Sequence, residues 1–171
     1  MTADPPASLP LRIAVLTVSD TRTLERDGSG DVLRDRIAVA GHQLHARELV
    51  PDDRYRIRAV VSAWIADTDV AVVLITGGTG VTERDVTPEA VLPLLDKTMP
   101  GFGELFRAVS LAEIGTATVH ARPFAGSANG TLVVGLPGSP GACRTAWDRI
   151  LGEQLDARTR PCSLVELLPR T

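Results

Sequence analysis

Apolar residues in this chain fall into short aliphatic runs separated by segments of helical period, and the alternation of the two predicts the fold. LRIAVLTV at residues 11–18 is almost continuously apolar and β-branched, as a strand buried on both faces should be, and it stops at the polar cluster Ser19-Asp20-Thr21-Arg22. GSGDVLRDRIAVAG follows, with Leu33, Ile37 and Ala40 on one helical face and Gly41 placed as a C-terminal cap. HQLHARELV, residues 42–50, alternates more weakly and predicts a second strand that runs into loop chemistry at Pro51-Asp52-Asp53. Ile57, Val60, Val61, Trp64 and Ile65 then recur at the spacing of an amphipathic helix. DVAVVLIT, residues 69–76, is the most hydrophobic run, suited to the centre of a parallel sheet. Helices are predicted over residues 88–95 and 103–112, with Pro88 in a first turn. TLVVGL, residues 131–136, is a further central strand, and it meets a last helix with Ser139 as cap and Pro140 in the first turn. Cys143, Trp147, Ile150 and Leu151 form the buried face of that helix.

Strands alternating with helices predict an α/β fold, a three-layer α/β/α sandwich with a mostly parallel central sheet of Rossmann-like type. Residues 1–10, with three prolines, predict a disordered lead-in, and residues 11–171 a single domain. Ligands of such sheets sit outside the carboxyl ends of the strands. Four clusters follow predicted strands, at residues 19–22, 51–53, 76–80 and 137–139, and are expected to line one rim.

Charge and cysteine content narrow the function. The 18 basic and 21 acidic residues are interspersed, and the net charge of −3 without a basic stripe argues against a nucleic-acid partner. The first ten residues lack the basic and apolar regions of a signal peptide, and no apolar run approaches the ~20 residues that span a membrane, so the expected location is the cytoplasm. Cys143 and Cys162 have no metal or redox spacing and read as reduced thiols; His42, His45 and His120 form no ligand pattern.

Candidate chemistry concentrates at Thr76-Gly77-Gly78-Thr79-Gly80. The run is neither a Walker A loop nor a GxGxxG fingerprint. It offers unobstructed backbone N–H groups and two hydroxyls, which suit a phosphate or another oxyanion; the plainer alternative is a tight turn that needs positive φ. Asp85 lies nearby beside Arg84, and Asp52 lies in the loop that follows the preceding strand. Each aspartate alone reads equally as a helix-start residue satisfying backbone donors. Two carboxylates beside an anion nest are costly unless a cation bridges them, which points to magnesium.

LTVSD, the DGSG ahead of a helix, VPDDRY, LITGGTGVTERDVTPEA, PGFGELFR and LPGSPGACRTAW, in this order, resemble the MoaB and MogA family of molybdopterin adenylyltransferases. The resemblance covers residues 11–161, and AWIADTDVAVVLITGGTG with QLDARTRPC is most similar to the MoaB branch. It implies a pterin pocket at the strand ends and transfer of AMP from Mg-ATP to the terminal phosphate of molybdopterin. By the same resemblance, the pterin phosphate lies at Gly77 to Gly80 with Gly138 and Ser139 close by and Thr76 as a further candidate contact, and Asp52 and Asp85 match the essential acidic positions; their charge beside a phosphate makes those two aspartates magnesium ligands, directly or through water. Ser19, Asp20 and Gly30 match further pocket positions, and Arg84 is placed to offset phosphate charge. The resemblance also implies a homotrimer or homohexamer and hand-over of the product to a metal-inserting enzyme. Two other functions fit the same motifs: a non-catalytic molybdopterin carrier and a nucleotide pyrophosphatase.

Overall fold

The structure, a computed structural model, describes residues 9–168, so most of the expected disordered lead-in, residues 1–8, lies outside the described residues. Along the chain run β1 (Arg12–Val18), α1 (Gly28–Val39), β2 (Gln43–Val50), α2 (Arg54–Ala66), β3 (Val72–Thr76) and α3 (Thr87–Val91). They are followed by β4 (Lys97–Thr98), α4 (Pro100–Ile114), β5 (Phe124–Ala128), β6 (Thr131–Leu136) and α5 (Pro140–Ala146). The six strands form one sheet in the order β2-β1-β3-β6-β5-β4. β2, β1, β3 and β6 are parallel, whereas β5 runs antiparallel to β6 and to β4.

Alternation along β1 divides the core. Ile13 and Val15 point to the side covered by α1, α4 and α5, where Leu33, Ile37, Phe106 and Leu151 pack against them. Ala14 and Leu16 point to the other side, where Ile57, Val61 and Trp64 of α2 and Ala90 and Val91 of α3 are buried. Helices on both faces make the three layers and explain why the inner strands read as unbroken aliphatic runs. β2 is an edge strand, mostly exposed, which accounts for its weak alternation.

Several boundaries differ from the sequence reading for identifiable reasons. Ala40 is exposed, because α1 is ending there, and Gly41 at φ 79° turns the chain out of the helix. Val60 and Ile65 are half-buried at the margins of the apolar stripe of α2. The helix expected over residues 88–95 is α3 followed by a 3₁₀ turn at Leu92–Leu94, where Pro93 interrupts regular hydrogen bonding. β4 and β5 were not anticipated. FAGSA carries small residues in place of β-branched ones, and a Cβ at Gly126 would stand 2.4 Å from the Lys97 carbonyl oxygen, so the close β4–β5 approach itself excludes a larger residue.

Chain direction places the site. From β1 the chain crosses through α1 on one face to β2, then returns through α2 on the opposite face to β3. The strand order therefore reverses between β1 and β3, where α/β sheets open a crevice at their carboxyl ends.

Candidate functional site

The loops after β1, β2, β3 and β6 meet at that crevice, as expected. Ser19 N–H donates to the Val50 carbonyl oxygen at 2.9 Å, and Asp52 N–H donates to Asp20 Oδ1 at 3.0 Å, which joins the first two loops. Gly77 N–H donates to the Leu136 carbonyl at 3.0 Å, joining the third to the fourth.

The glycine run is shaped by its neighbours. Gly77 has φ 105°, and a Cβ there would lie 2.1 Å from the Val18 carbonyl oxygen. Gly78 has φ 64°, and a Cβ there would meet Thr87 Oγ1 at 2.3 Å and Asp52 Oδ1 at 2.9 Å. The run has fewer unengaged donors than the sequence suggests. Gly77 N–H is engaged in the sheet, and the Thr76 hydroxyl is buried, donating to the Pro137 carbonyl at 3.0 Å beside Cys143 Sγ. Among the described residues, the Gly78 and Thr79 N–H groups have no acceptor and are the donors left for an anion. Ser139 Oγ accepts from Ala142 N–H as the cap of α5, which leaves its own proton free to donate. Gly138 packs against Gly77, where a Cβ would sit 3.1 Å from the Gly77 Cα.

The acidic residues divide into engaged and strained. Asp20 holds Arg84 through both carboxylate oxygens at 2.8–2.9 Å, and the Arg84 hydrogen bond keeps the Asp20 carboxyl below its ordinary range. Asp85 Oδ2 accepts from Thr82 N–H at 2.9 Å and from the Thr82 hydroxyl at 2.5 Å, closing its own loop. Burial pushes Asp85 up, but those bonds outweigh it and the carboxyl stays low. Asp52 is the opposite case. Half-burial, then the charges of Asp20 and Asp85, raise its carboxyl above the usual range, and Arg84 only partly compensates. A divalent cation held by Asp52 and Asp85 would relieve that repulsion. Among the described residues no three His, Cys, Asp or Glu side chains are grouped to hold a metal ion. Two carboxylates by themselves would leave most positions around a cation to water or a bound anion.

Asp27, which the sequence reading does not single out, and Arg22, from the cluster expected at the rim, have partners that the sequence does not reveal. Asp27 is fully buried and accepts from the Thr17 hydroxyl at 2.7 Å, Gly30 N–H at 3.0 Å and Arg47 at 2.9 Å, fixing the start of α1. A Cβ at Gly30 would lie 2.1 Å from Asp27 Oδ2, so Gly30 serves this buried pair and faces inward. Arg22 donates to Ser29 Oγ at 2.6 Å and to the Gly138 carbonyl at 2.8 Å, a cation held against the rim. Ser19 Oγ accepts from the N–H groups of Thr21 and Arg22 and shapes that turn.

The two cysteines are free, and burial pushes the Cys143 thiol up to about 11, which leaves it unreactive. A cleft of about 350 Å³ opens beside the site, lined by Thr82 and Asp85 together with Arg54, Glu89 and Arg122. Among the described residues no helix is long and apolar enough to cross a membrane.

A family model described as "Probable molybdopterin binding domain" matches residues 14–157. The chain is 58% identical over 155 residues to molybdenum cofactor biosynthesis protein B of Escherichia coli K12, covering 91% of each protein. A crystal structure of a molybdenum cofactor biosynthesis protein B superposes with a TM-score of 0.85 at 44% identity, covering 88% of this chain and 94% of that one. The tungsten cofactor synthesizing protein MoaB from Pyrococcus furiosus superposes with a TM-score of 0.76 at 36% identity, covering 86% and 94%. With the domain across most of its length and relatives at this identity, the chain belongs to the molybdenum cofactor biosynthesis protein B (MoaB) family and has its role in making that cofactor.

Proposed function

We propose that this protein transfers AMP from ATP to the terminal phosphate of molybdopterin and releases pyrophosphate. The observation that carries the reading is the strained carboxylate of Asp52, set against Gly78 and pushed up by burial, Asp20 and Asp85. A site that crowds negative charge next to free backbone N–H groups is built for a cation and phosphates together.

A phosphate monoester with a second pKa of ~6 is mostly dianionic at neutral pH, so it attacks without a general base. Gly78 and Thr79 N–H groups and the Ser139 hydroxyl hold this dianion in the proposed arrangement. One of its oxygens forms a bond to the α-phosphorus of ATP; the bond from that phosphorus to the bridging oxygen breaks, and pyrophosphate leaves with the electron pair. Asp52 and Asp85 are the residues that would hold Mg²⁺, which supplies neutralisation of phosphate charge when bound. Arg22, hydrogen-bonded to neutral partners, adds fixed positive charge at the rim, whereas the charge of Arg84 is balanced by its ion pair with Asp20.

A second reading, a molybdopterin carrier without catalysis, draws on Asp85, whose Oδ2 is already occupied by Thr82. Assembly into trimers, or hexamers built from trimers, belongs to the first reading and is supported by the exposed Leu105, Leu111 and Ile114 of α4. Hand-over of the product to a metal-inserting enzyme belongs to it as well.

Asp52→Asn and Asp85→Asn test the assignment. Each variant is expected to bind molybdopterin by titration as the parent does and to lose at least ~10²-fold in transfer rate. Parental rates in both variants would remove the carboxylates from the mechanism.

A further inference from the structure

Four arginines line one cleft of about 640 Å³ in a protein whose net charge is −3. Two are anchored to backbone. Arg58 donates to the Glu89 and Ala90 carbonyls at 3.0 and 2.9 Å, and Arg122 to the Gly80 and Asp85 carbonyls at 2.7 and 2.9 Å. Carbonyl partners hold a guanidinium without neutralising it. Arg122 also pairs with Glu89, the one acidic side chain lining the cleft among the described residues. Arg54, from the first turn of α2, and Arg107, from α4, have no hydrogen-bond or ion-pair partner among the described residues. Pro93 and Phe124 supply an apolar wall that lowers the local dielectric.

Four guanidinium groups against one carboxylate leave the lining of this cleft positive, which favours an anion there. Its position gives the anion a meaning. Arg54, Glu89 and Arg122 also line the smaller cleft that contains Thr82 and Asp85, so the two spaces adjoin through shared walls. The glycine loop, with the Gly78 and Thr79 donors, lines neither of them.

We propose that the arginine cleft seats a diphosphate group: the β- and γ-phosphates of the nucleotide before transfer, and the departing pyrophosphate after it. The proposal rests on the adenylyltransferase reading. A diphosphate has terminal oxygens enough to accept paired hydrogen bonds from Arg54 and Arg107 at once, and it carries more negative charge to match four guanidinium groups than a single phosphomonoester does. Asp85, beside Gly80 of the glycine loop and in the smaller cleft that adjoins the arginines, stands between the two anion sites, as suits an in-line transfer in which the attacking phosphate and the leaving diphosphate lie on opposite sides of the reacting phosphorus.

The test is calorimetric titration of the full chain and of the Arg54→Gln, Arg107→Gln double variant with inorganic pyrophosphate, ATP, AMP, orthophosphate and molybdopterin, with turnover measured alongside. Neither side chain has a hydrogen-bond or ion-pair partner among the described residues, so the double variant is expected to melt as the parent does, with its mass by light scattering checked because Arg107 lies on α4. Pyrophosphate and ATP affinity should fall at least ~10-fold in the variant, and KM for ATP should rise in step, while AMP and molybdopterin bind unchanged. Unchanged pyrophosphate affinity with intact turnover would overturn the diphosphate seat and leave the transferase reading standing. Arginine-dependent pyrophosphate binding in a protein that makes no product would sustain the seat and remove the transferase. Loss of molybdopterin binding with pyrophosphate binding retained would assign the cleft to the pterin and overturn the proposal.

Discussion

Asp27→Asn removes one charge from the buried floor of the site and little else. The parent carboxylate is fully buried and bonded to Thr17, Ser29, Gly30 and Arg47. Asparagine preserves the shape and can still cap α1, but its amide presents N–H groups toward donors and leaves Arg47 without the buried one of its two counter-charges. Breaking a buried pair by removing one partner costs about 3–5 kcal/mol. Arg47 keeps Asp31 at 2.8 Å, which places the expected loss near the lower end, about 3 kcal/mol. For a chain of this length that is a fall in Tm of roughly 6–12 °C. Burial pushes the Asp27 carboxyl up, yet the hydrogen bonds from Thr17, Arg47 and Gly30 outweigh it and the folded-state value lies below the ordinary one. A depressed carboxyl contributes stability above its unfolded value of ~3.9 and loses it as pH falls through the folded value. Urea denaturation followed by circular dichroism should therefore show a gap of about 3 kcal/mol between parent and variant at pH 7 that narrows below pH ~4. A gap under ~1 kcal/mol at pH 7, or one that does not narrow on acidification, would refute the reasoning.

Two further outcomes are expected. Gly78→Val forces a β-branched residue to φ 64° and drives its Cβ into Thr87 Oγ1 and Asp52 Oδ1, so molybdopterin affinity measured by titration should fall at least ~10-fold; unchanged affinity would place the pterin phosphate elsewhere. Light scattering at micromolar concentration should give the mass of a trimer or a multiple of it, and Leu111→Glu should lower that mass, whereas a parental monomer or simple dimer would contradict the assembly reading.

The elements legible in the sequence are those whose own residues decide them. β1, β3 and β6 are aliphatic because both of their faces are covered, and the spacing of Ile57, Val61 and Trp64 follows from the single buried face of α2. β5 escaped because Phe124 is its one large residue, and that side chain packs over Gly135, where a Cβ would lie 2.2 Å from its ring. A signal was present nonetheless. Asn129 and Gly130, at φ 49° and 79°, join Ala128 to Thr131, and Asn-Gly between two strands is the strongest short hairpin marker. The site divides in the same way. Asp52, Asp85 and the glycines lie in local motifs and were found, whereas Asp27 and Arg22 take their meaning from Arg47 and Gly138, 20 and 116 residues away. That Gly77 N–H belongs to the sheet and not to an anion is likewise set by Leu136 on another strand.

Phosphorus NMR of the protein incubated with molybdopterin, ATP and Mg²⁺ tests the central claim most directly. The account predicts that adenylylated molybdopterin and pyrophosphate appear together in equal amounts, and that omitting the pterin or chelating the divalent cation removes both. ATP consumed at the same rate without pterin, or pterin bound at saturation with no new phosphoanhydride signal, would contradict it.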